Sequence, residues 1–214
     1  MVVSPKFDPP LLPDLVAGDE SVLEPRVVVE ATLFESQTWS DRDLTDLVLS
    51  ESQLDGVSIA DCVLRGIRVS ECLIDALNAP VLAAGRSQWR DTSIQRSRIG
   101  SAELFDADLS MVRIENSKIG YLNLRSAVLN SVIITGCTID ELDLGGVRAK
   151  RVAIVDCQLG TLDVTRAQLT DVDLRGSSLK SIVGIDGLRG ATVDNDQLSA
   201  LAEHLASAAG ILVE

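Results

Sequence analysis

The sequence contains little of what most active sites and membrane proteins are built from. Of its 214 residues, 3% are aromatic, and His204 is its one histidine. The four cysteines form no Cys-x-x-Cys pair, which argues against a zinc site. No apolar run of about 18 residues is present, and the start, MVVSPKFDPP, lacks the regions of a signal peptide. We therefore expect a cytoplasmic protein with reduced thiols and no contact with a membrane.

Motifs for catalysis are also missing. The sequence has no Walker glycine loop and no His-Glu-x-x-His motif, and His204 has no sequence-near serine or cysteine partner for a triad. We expect no catalytic, cofactor-binding or metal-binding residues, and so no enzyme. Hydrophobic residues nevertheless make up 46% of the chain, enough for a substantial core, which the scarcity of aromatic residues predicts to be aliphatic.

Apolar residues recur at every fifth position from Val29 to Leu179, over 31 consecutive positions without a shift of frame. A helix turns about 100° per residue and would scatter these positions around its axis. A flat strand would place them on alternate faces. Neither element buries the pattern. A second phase, two residues before each of these positions, is small or aliphatic and contains all four cysteines: Cys62, Cys72, Cys137 and Cys157.

A longer period, of twenty residues, lies on top of the short one. It is clearest in one column of isoleucines: Ile74, Ile94, Ile114, Ile134 and Ile154. Twenty is four times five, so the simplest structure is a coil with four sides of five residues, stacked so that equivalent residues lie above one another. Self-similarity at a fixed period is typical of a solenoid, in which each unit buries its apolar face against its neighbours.

Units such as AELFD (102–106), ADLSM (107–111) and VDLRG (172–176) resemble those of the pentapeptide-repeat family. The resemblance covers about residues 29–181 and implies an all-β solenoid, a right-handed quadrilateral β-helix, here with about eight coils of twenty residues each. The handedness is implied by the resemblance, whereas the four sides follow from the period. The pattern weakens over 76–90, which leaves open whether this part forms a regular coil, a bulge or a loop.

The segment 182–214 is predicted to cap the last coil with an α-helix. Asp194 is a good N-cap, and Gln197 completes a capping box. One helix face is apolar, and its members are Leu198, Leu201, Ala202, Leu205 and Ala209. The family resemblance implies a homodimer through this C-terminal segment; a monomer with a folded-back tail is the alternative.

The segment 1–28 has several prolines and no clear period. We expect an extended N-terminal arm, packed along the solenoid or over its first coil. Leu11, Leu12 and Leu15 are its expected anchors, with disorder as the alternative for the first few residues.

Outward positions separated by one full coil are expected to stack, and one such column is acidic: Glu35, Asp55, Asp75 and, after Gln95, Glu115. The resemblance suggests a function for it, because some pentapeptide-repeat proteins imitate DNA, bind DNA gyrase and confer quinolone resistance. Against this, residues 29–181 carry 22 acidic and 16 basic side chains, and Arg148, Lys150 and Arg151 interrupt the acidic character. A solvated surface of mixed charge is the other interpretation.

A second candidate surface is an exposed apolar patch in outward phases, formed by Val128, Ile133, Ala153 and Val155. Clustered residues of this kind mark a partner site, whereas scattered ones are ordinary. The sequence therefore favours a non-enzymatic binding or scaffold protein with an unidentified protein partner. The alternative is a DNA-mimicking modulator of DNA gyrase or another type II topoisomerase. Direct binding of nucleic acid is not expected, because the net charge of −13 would repel phosphates.

Overall fold

The chain folds into a four-sided coil that turns at every fifth residue. The computed structural model describes residues 2–212, so the last two positions of the predicted cap, 213 and 214, lie outside the described residues. Corner residues commonly adopt a positive φ, as at Arg86 (60°) and Asp106 (55°). This conformation is costly for residues other than glycine. Here it is held by hydrogen bonds to the next turn, because Arg86 N donates to the carbonyl oxygen of Phe105 at 2.9 Å.

Short strands occupy the sides of each turn, and their bounds repeat with the period of the sequence. They are β1 Val16–Ala17, β2 Val28–Glu30, β3 Thr32–Glu35, β4 Thr38–Ser40, β5 Val48–Ser50, β6 Gln53–Asp55, β7 Ser58–Ala60, β8 Arg68–Ser70, β9 Leu73–Asp75, β10 Asn78–Ala83, β11 Gln88–Gln95, β12 Arg98–Glu103, β13 Asp108–Glu115, β14 Lys118–Asn123, β15 Val128–Thr135, β16 Thr138–Asp143, β17 Arg148–Val155, β18 Gln158–Asp163, β19 Gln168–Asp173, β20 Ser178–Val183 and β21 Ala191–Thr192. Within residues 2–212, two short 3-10 helices, Glu20–Val22 and Ile185–Leu188, and one α-helix, α1 (Asn195–Ala208), accompany these strands.

Every solenoid strand pairs in parallel with the equivalent strand one turn away. In register, Leu109 lies opposite Leu129, and Leu129 lies opposite Ala149, so partners are separated by the predicted period of twenty. The strands form two long sheets that wind through about nine turns. The predicted four-sided parallel β-solenoid with a C-terminal helix is therefore confirmed.

The positions at five-residue intervals form the core of the solenoid. They are buried without exception from Val29 to Leu174, and the last of the series, Leu179, is half-buried. Each buried leucine or isoleucine contributes on the order of 1.5–3 kcal/mol before ordering entropy is subtracted. The phase two residues earlier fills the space beside the corners, and the four free cysteines there are buried.

The segment 76–90 is a regular turn of the solenoid. Strand β10 pairs in register with β12, and Ala79 and Ala84 are fully buried at core positions. Both side chains are small, yet the core around them stays closed. The core contains a cavity of about 20 Å³ lined in part by Trp39 and Trp89.

Helix α1 closes the C-terminal end of the solenoid through a polar contact. Its capping box is formed as predicted, with Asp194 accepting from Gln197 N and Asp194 N donating to Gln197 Oε1, both at 2.9 Å. The buried Gln197 Nε2 also donates to the carbonyl oxygens of Leu174 (2.6 Å) and Ser177 (2.7 Å). These carbonyls belong to the last turn and have no further turn to pair with, so Gln197 satisfies an open edge.

The apolar face of α1 does not cover the last coil as the sequence predicts. Among its five residues Leu201 is buried, whereas Leu198 and Leu205 are 50% and 39% exposed, and Ala202 and Ala209 are exposed as well. The physical reason is that the helix is oriented by Gln197 and Leu201, which turns the rest of the face toward solvent. Among residues 2–212, no helix is long and apolar enough to cross a membrane.

The stacked core predicts a large cost for a cavity in the middle of the solenoid. Replacing Leu129, which is 1% exposed, with alanine should lower the free energy of unfolding by about 2–5 kcal/mol. Chemical denaturation measures this change. The outward Thr138→Ala variant is the control and should cost less than about 1 kcal/mol. Equal effects of the two substitutions would contradict the assigned core.

Candidate interaction surfaces

The solenoid presents four faces, and one turn defines them. We name faces 1, 2, 3 and 4 after the sides whose buried central residues are Leu109, Ile114, Ile119 and Leu124. Faces 1 and 2 share the long strands such as β13, which bend at a corner, and face 3 begins with strands such as β14. Residues separated by one full turn belong to the same face, since the register is constant. Two outward side chains flank each central residue.

The acidic column lies on face 2. Glu35 is opposite Asp55, and Asp55 is opposite Asp75, so the three carboxylates are stacked on adjacent turns. Gln95 then separates Asp75 from Glu115. Beyond Glu115 the column continues with uncharged residues, first Thr135 and then Val155.

Cations pair with part of this column. Arg96 forms an ion pair with Asp75, whose side chain is 13% exposed. Arg113 Nη1 lies 3.4 Å from Glu115 Oε2. The negative charge on face 2 is thus interrupted by Gln95 and partly balanced at two of its four carboxylates. A gyrase-binding role for the column stays a prediction.

The apolar patch is neither contiguous nor fully exposed, which corrects the expectation from the sequence. Ile133 and Ala153 are partners in register on face 2, and Val155 lies two residues further along the same side. Val128 is on face 1, across the corner at Ser131. Ala153 is 9% exposed and counts as buried, and Ile133, Val155 and Val128 are half-buried.

The N-terminal arm, residues 2–15, lies along face 2. Its Val3 N–H donates to Asp171 Oδ1 at 3.4 Å, near the last turns. The Phe7 ring lies under the guanidinium group of Arg113, with 5.2 Å between the Arg113 Cζ atom and the ring centroid. Strand β1 then pairs with β3 in the first turn. The arm therefore runs along the solenoid from the last turns to the first, opposite to the direction in which the chain winds through the solenoid.

Exposure along the faces agrees with this path. Of the 16 flanking residues on face 2, from Leu33 to Arg175, two are exposed, and these lie at the two ends. On face 1, ten of the 16 equivalent residues, from Val28 to Thr170, are exposed. The predicted anchors are corrected in part, because Leu11 is 94% exposed while Leu12 and Leu15 are half-buried. The sequence predicts an arm along the solenoid or over its first coil, but the prolines and the lack of periodicity gave no indication of its face or direction.

Face 1 is open and carries two adjoining grooves. One, of about 610 Å³, is lined by Arg68 and Arg90 with Trp89 beneath them. The other, of about 330 Å³, is lined by Arg148 and Lys150. Both grooves include Val128 and Asn130, so they are continuous. Among the 16 flanking residues of face 1, these four are basic and two, Glu30 and Asp108, are acidic.

Face 4 holds a polar cluster around one buried carboxylate. Tyr121 OH and Arg125 Nη1 donate to Asp143 Oδ2 at 3.2 and 3.0 Å, and Gly145 N donates to Asp143 Oδ1 at 2.8 Å. The last bond is an Asx turn that shapes the corner, and the same bond recurs at Asn123, Asp163 and Asp173. Burial and the neighbouring Asp143 raise the pKa of Tyr121 to about 12.

His204 and the four cysteines occupy different parts of the fold. His204 is exposed on α1, and the cysteines lie inside the solenoid, where burial raises the pKa of Cys72 to about 11. Within residues 2–212, no group of three His, Cys, Asp or Glu side chains is placed to hold a metal ion.

The chain forms a parallel β-solenoid with four sides of five residues in each twenty-residue turn. This structure is consistent with a pentapeptide-repeat protein, as the sequence resemblance predicts. Neither a family profile nor a curated protein matches the chain.

Solved structures of pentapeptide-repeat and related proteins are similar to it. A trypsin-treated variant of QnrB1, a plasmid-mediated fluoroquinolone resistance protein, is 20% identical, with 94% of this chain and 97% of that chain covered and a TM-score of 0.38. HetL from the cyanobacterium Nostoc sp. strain PCC 7120, a pentapeptide-repeat protein involved in heterocyst differentiation regulation, is 15% identical, with 80% and 91% covered and a TM-score of 0.45.

The cluster on face 4 predicts an unusual titration of the one tyrosine in the chain. Absorbance at alkaline pH should give a pKa of about 12 instead of the ordinary 10.0. Since folding raises this pKa, the associated stability is present below the ordinary value and is lost as the pH rises toward 12. Asp143→Asn should lower the pKa but leave it above the ordinary value, because burial is the larger cause.

Asp140→Asn is the matched control for this titration, since Asp140 is exposed on face 3. It should leave the titration of Tyr121 unchanged. A midpoint near the ordinary value in the folded protein would show that Tyr121 is neither desolvated nor in contact with Asp143.

Proposed function

We propose that the protein is a non-enzymatic binding protein whose face 1 binds an acidic segment of a partner protein. The observation that carries the proposal is the charge of this face. Four cations flank its grooves in a chain whose formal net charge is −13. Face 1 is also open along its length, whereas the arm covers face 2.

The spacing of the cations suits an extended acidic peptide. Turns stack at about 4.8 Å, so Arg90 and Lys150, three turns apart in one column, are separated by about 14 Å. An extended chain advances about 3.3 Å per residue, so carboxylates four or five residues apart can reach both. Arginine pairs with carboxylates through two parallel hydrogen bonds, which adds direction to the attraction. The half-buried Val128 between the grooves offers an apolar contact in the middle.

Charge reversal tests face 1. A fluorescent peptide of ten glutamates is the probe, and anisotropy measures its binding at low and physiological salt. Replacing Arg68, Arg90, Arg148 and Lys150 with glutamate should abolish binding. The control reverses Arg98, Lys118 and Lys180, the cations of face 3, and should keep most of it. Equal loss in both variants would mean that only net charge matters and would contradict a site on face 1.

We also propose a homodimer through the C-terminal segment. The support is the part of the apolar face of α1 that the solenoid does not bury. Leu198, Ala202, Leu205 and Ala209 follow one another at helical spacing and are exposed. A second copy of the same helix offers a self-complementary surface, as a twofold interface requires.

Substitutions on this stripe should separate the two copies. Leu198→Glu with Leu205→Glu places charges in the apolar contact and should yield monomers in analytical ultracentrifugation at concentrations where the parent chain is a dimer. Ala200→Glu lies on another side of α1, is exposed, and serves as the control. A parent chain that is monomeric at high concentration would favour the folded-back tail instead.

DNA mimicry toward gyrase has weaker support than binding through face 1. A mimic needs a continuous negative surface, and the acidic column is interrupted at Gln95 and paired with Arg96 and Arg113. It also lies on the face that the arm covers.

A further inference from the structure

Face 2 is occupied by a segment that is firmly attached at one end only. At the attached end, Val16 N and Gly18 N donate to the carbonyl oxygens of Ala31 and Leu33, both at 2.9 Å. Gln37 Nε2 donates to the carbonyl oxygen of Gly18 at 2.6 Å. These bonds fix the chain where the arm meets the first turn.

Beyond this point the arm has few ties. In the described part of the chain, residues 2–15 make one hydrogen bond to the solenoid, from Val3 N to Asp171 Oδ1 at 3.4 Å. Prolines at positions 5, 9, 10 and 13 lack the N–H groups that strand pairing needs. The Phe7 ring also contacts the guanidinium group of Arg113. Such a segment can leave face 2 without breaking the ladder of the solenoid.

The dimensions of the arm fit the face it covers. Asp171 and Ala31 occupy equivalent corners seven turns apart, about 34 Å at the usual strand spacing. The chain from Val3 to Val16 spans up to about 43 Å when extended. An extended segment therefore reaches from the last turns to the first, with Phe7 at Arg113 on the way.

We propose that face 2 is a peptide-binding surface and that residues 2–15 are its tethered ligand. An extended, proline-containing segment of another protein, with one aromatic side chain, binds there by displacing the arm. The aromatic ring of that segment takes the place of Phe7 on Arg113, a cation–π contact that favours a ring over an aliphatic side chain. The backbone groups of face 2 are already paired inside the ladder, so this face offers side chains to a ligand. A ligand that contains prolines, which lack backbone N–H groups, suits such a face. The proposal is independent of binding at face 1.

A peptide with the sequence of residues 2–15, carrying a fluorophore at its C-terminus, tests the surface. It is titrated with the full chain and with a chain that begins at Val16. The shortened chain keeps every core residue, since the first buried side chain is Leu23, and circular dichroism checks its fold. The shortened chain should bind saturably and at least tenfold more tightly than the full chain, because a tethered arm competes at roughly millimolar effective concentration.

Two variants make the binding specific to the contact seen in the structure. Arg113→Ala in the shortened chain, and Phe7→Ala in the peptide, should each weaken binding about threefold or more, whereas Arg98→Ala on face 3 should not change it. Equal binding by full and shortened chains, no saturation below about 1 mM, or no effect of Arg113→Ala would each overturn the proposal.

A full-length chain with Val3→Cys and Asp171→Cys provides a reversible lock. Val3 N and Asp171 Oδ1 are 3.4 Å apart, which brings the two residues near enough to test for a disulfide within one chain, and the native cysteines are buried. The oxidised protein should not bind the peptide, and reduction should restore the affinity of the full chain. A disulfide between two chains would place the arm on a second copy of the protein. Unchanged peptide binding by the oxidised chain would place the peptide on another surface. Either result overturns the proposal.

Discussion

The parallel ladder between equivalent residues of successive turns is the interaction on which the rest of this structure depends. It places residues that are twenty positions apart above one another, so the residue types along a column decide the character of that column. Leucine and isoleucine at the central positions build a core that is continuous through the molecule. The same ladder leaves unpaired backbone groups at its ends, which the chain must cover. Gln197 does this at the C-terminal end with two hydrogen bonds to carbonyl oxygens.

Stacking also determines the charge pattern of the surface. A column of carboxylates gives a strong field if it is unbroken, but one uncharged residue and two pairing arginines divide the column on face 2. Four cations on face 1, in contrast, face open grooves. The four faces thus differ in accessibility as much as in charge, since the arm closes one of them.

The solenoid could be predicted from the sequence because its signal is periodic and local. The five-residue step and its fourfold multiple set the sides, the stacking and the core, and Asp194 with Gln197 set the start of α1. The path of the arm has no period, and its contact of Phe7 with Arg113 joins residues more than 100 positions apart. The exposure of Leu198 depends on how α1 sits on the last turn, which Gln197 controls through bonds to another element. Such contacts depend on side-chain reach in the folded chain and have no signature in sequence spacing.

Nuclear Overhauser effects between labelled isoleucine methyl groups would test the register most directly. The structure predicts contacts that link each isoleucine of one column with the next, in the order Ile74, Ile94, Ile114, Ile134 and Ile154. Such a series requires every turn to have the same twenty-residue length and every strand to pair in parallel with its equivalent. Contacts that skip a member of the series, or that join isoleucines of different columns in its place, would contradict the stacked faces on which both proposed surfaces depend.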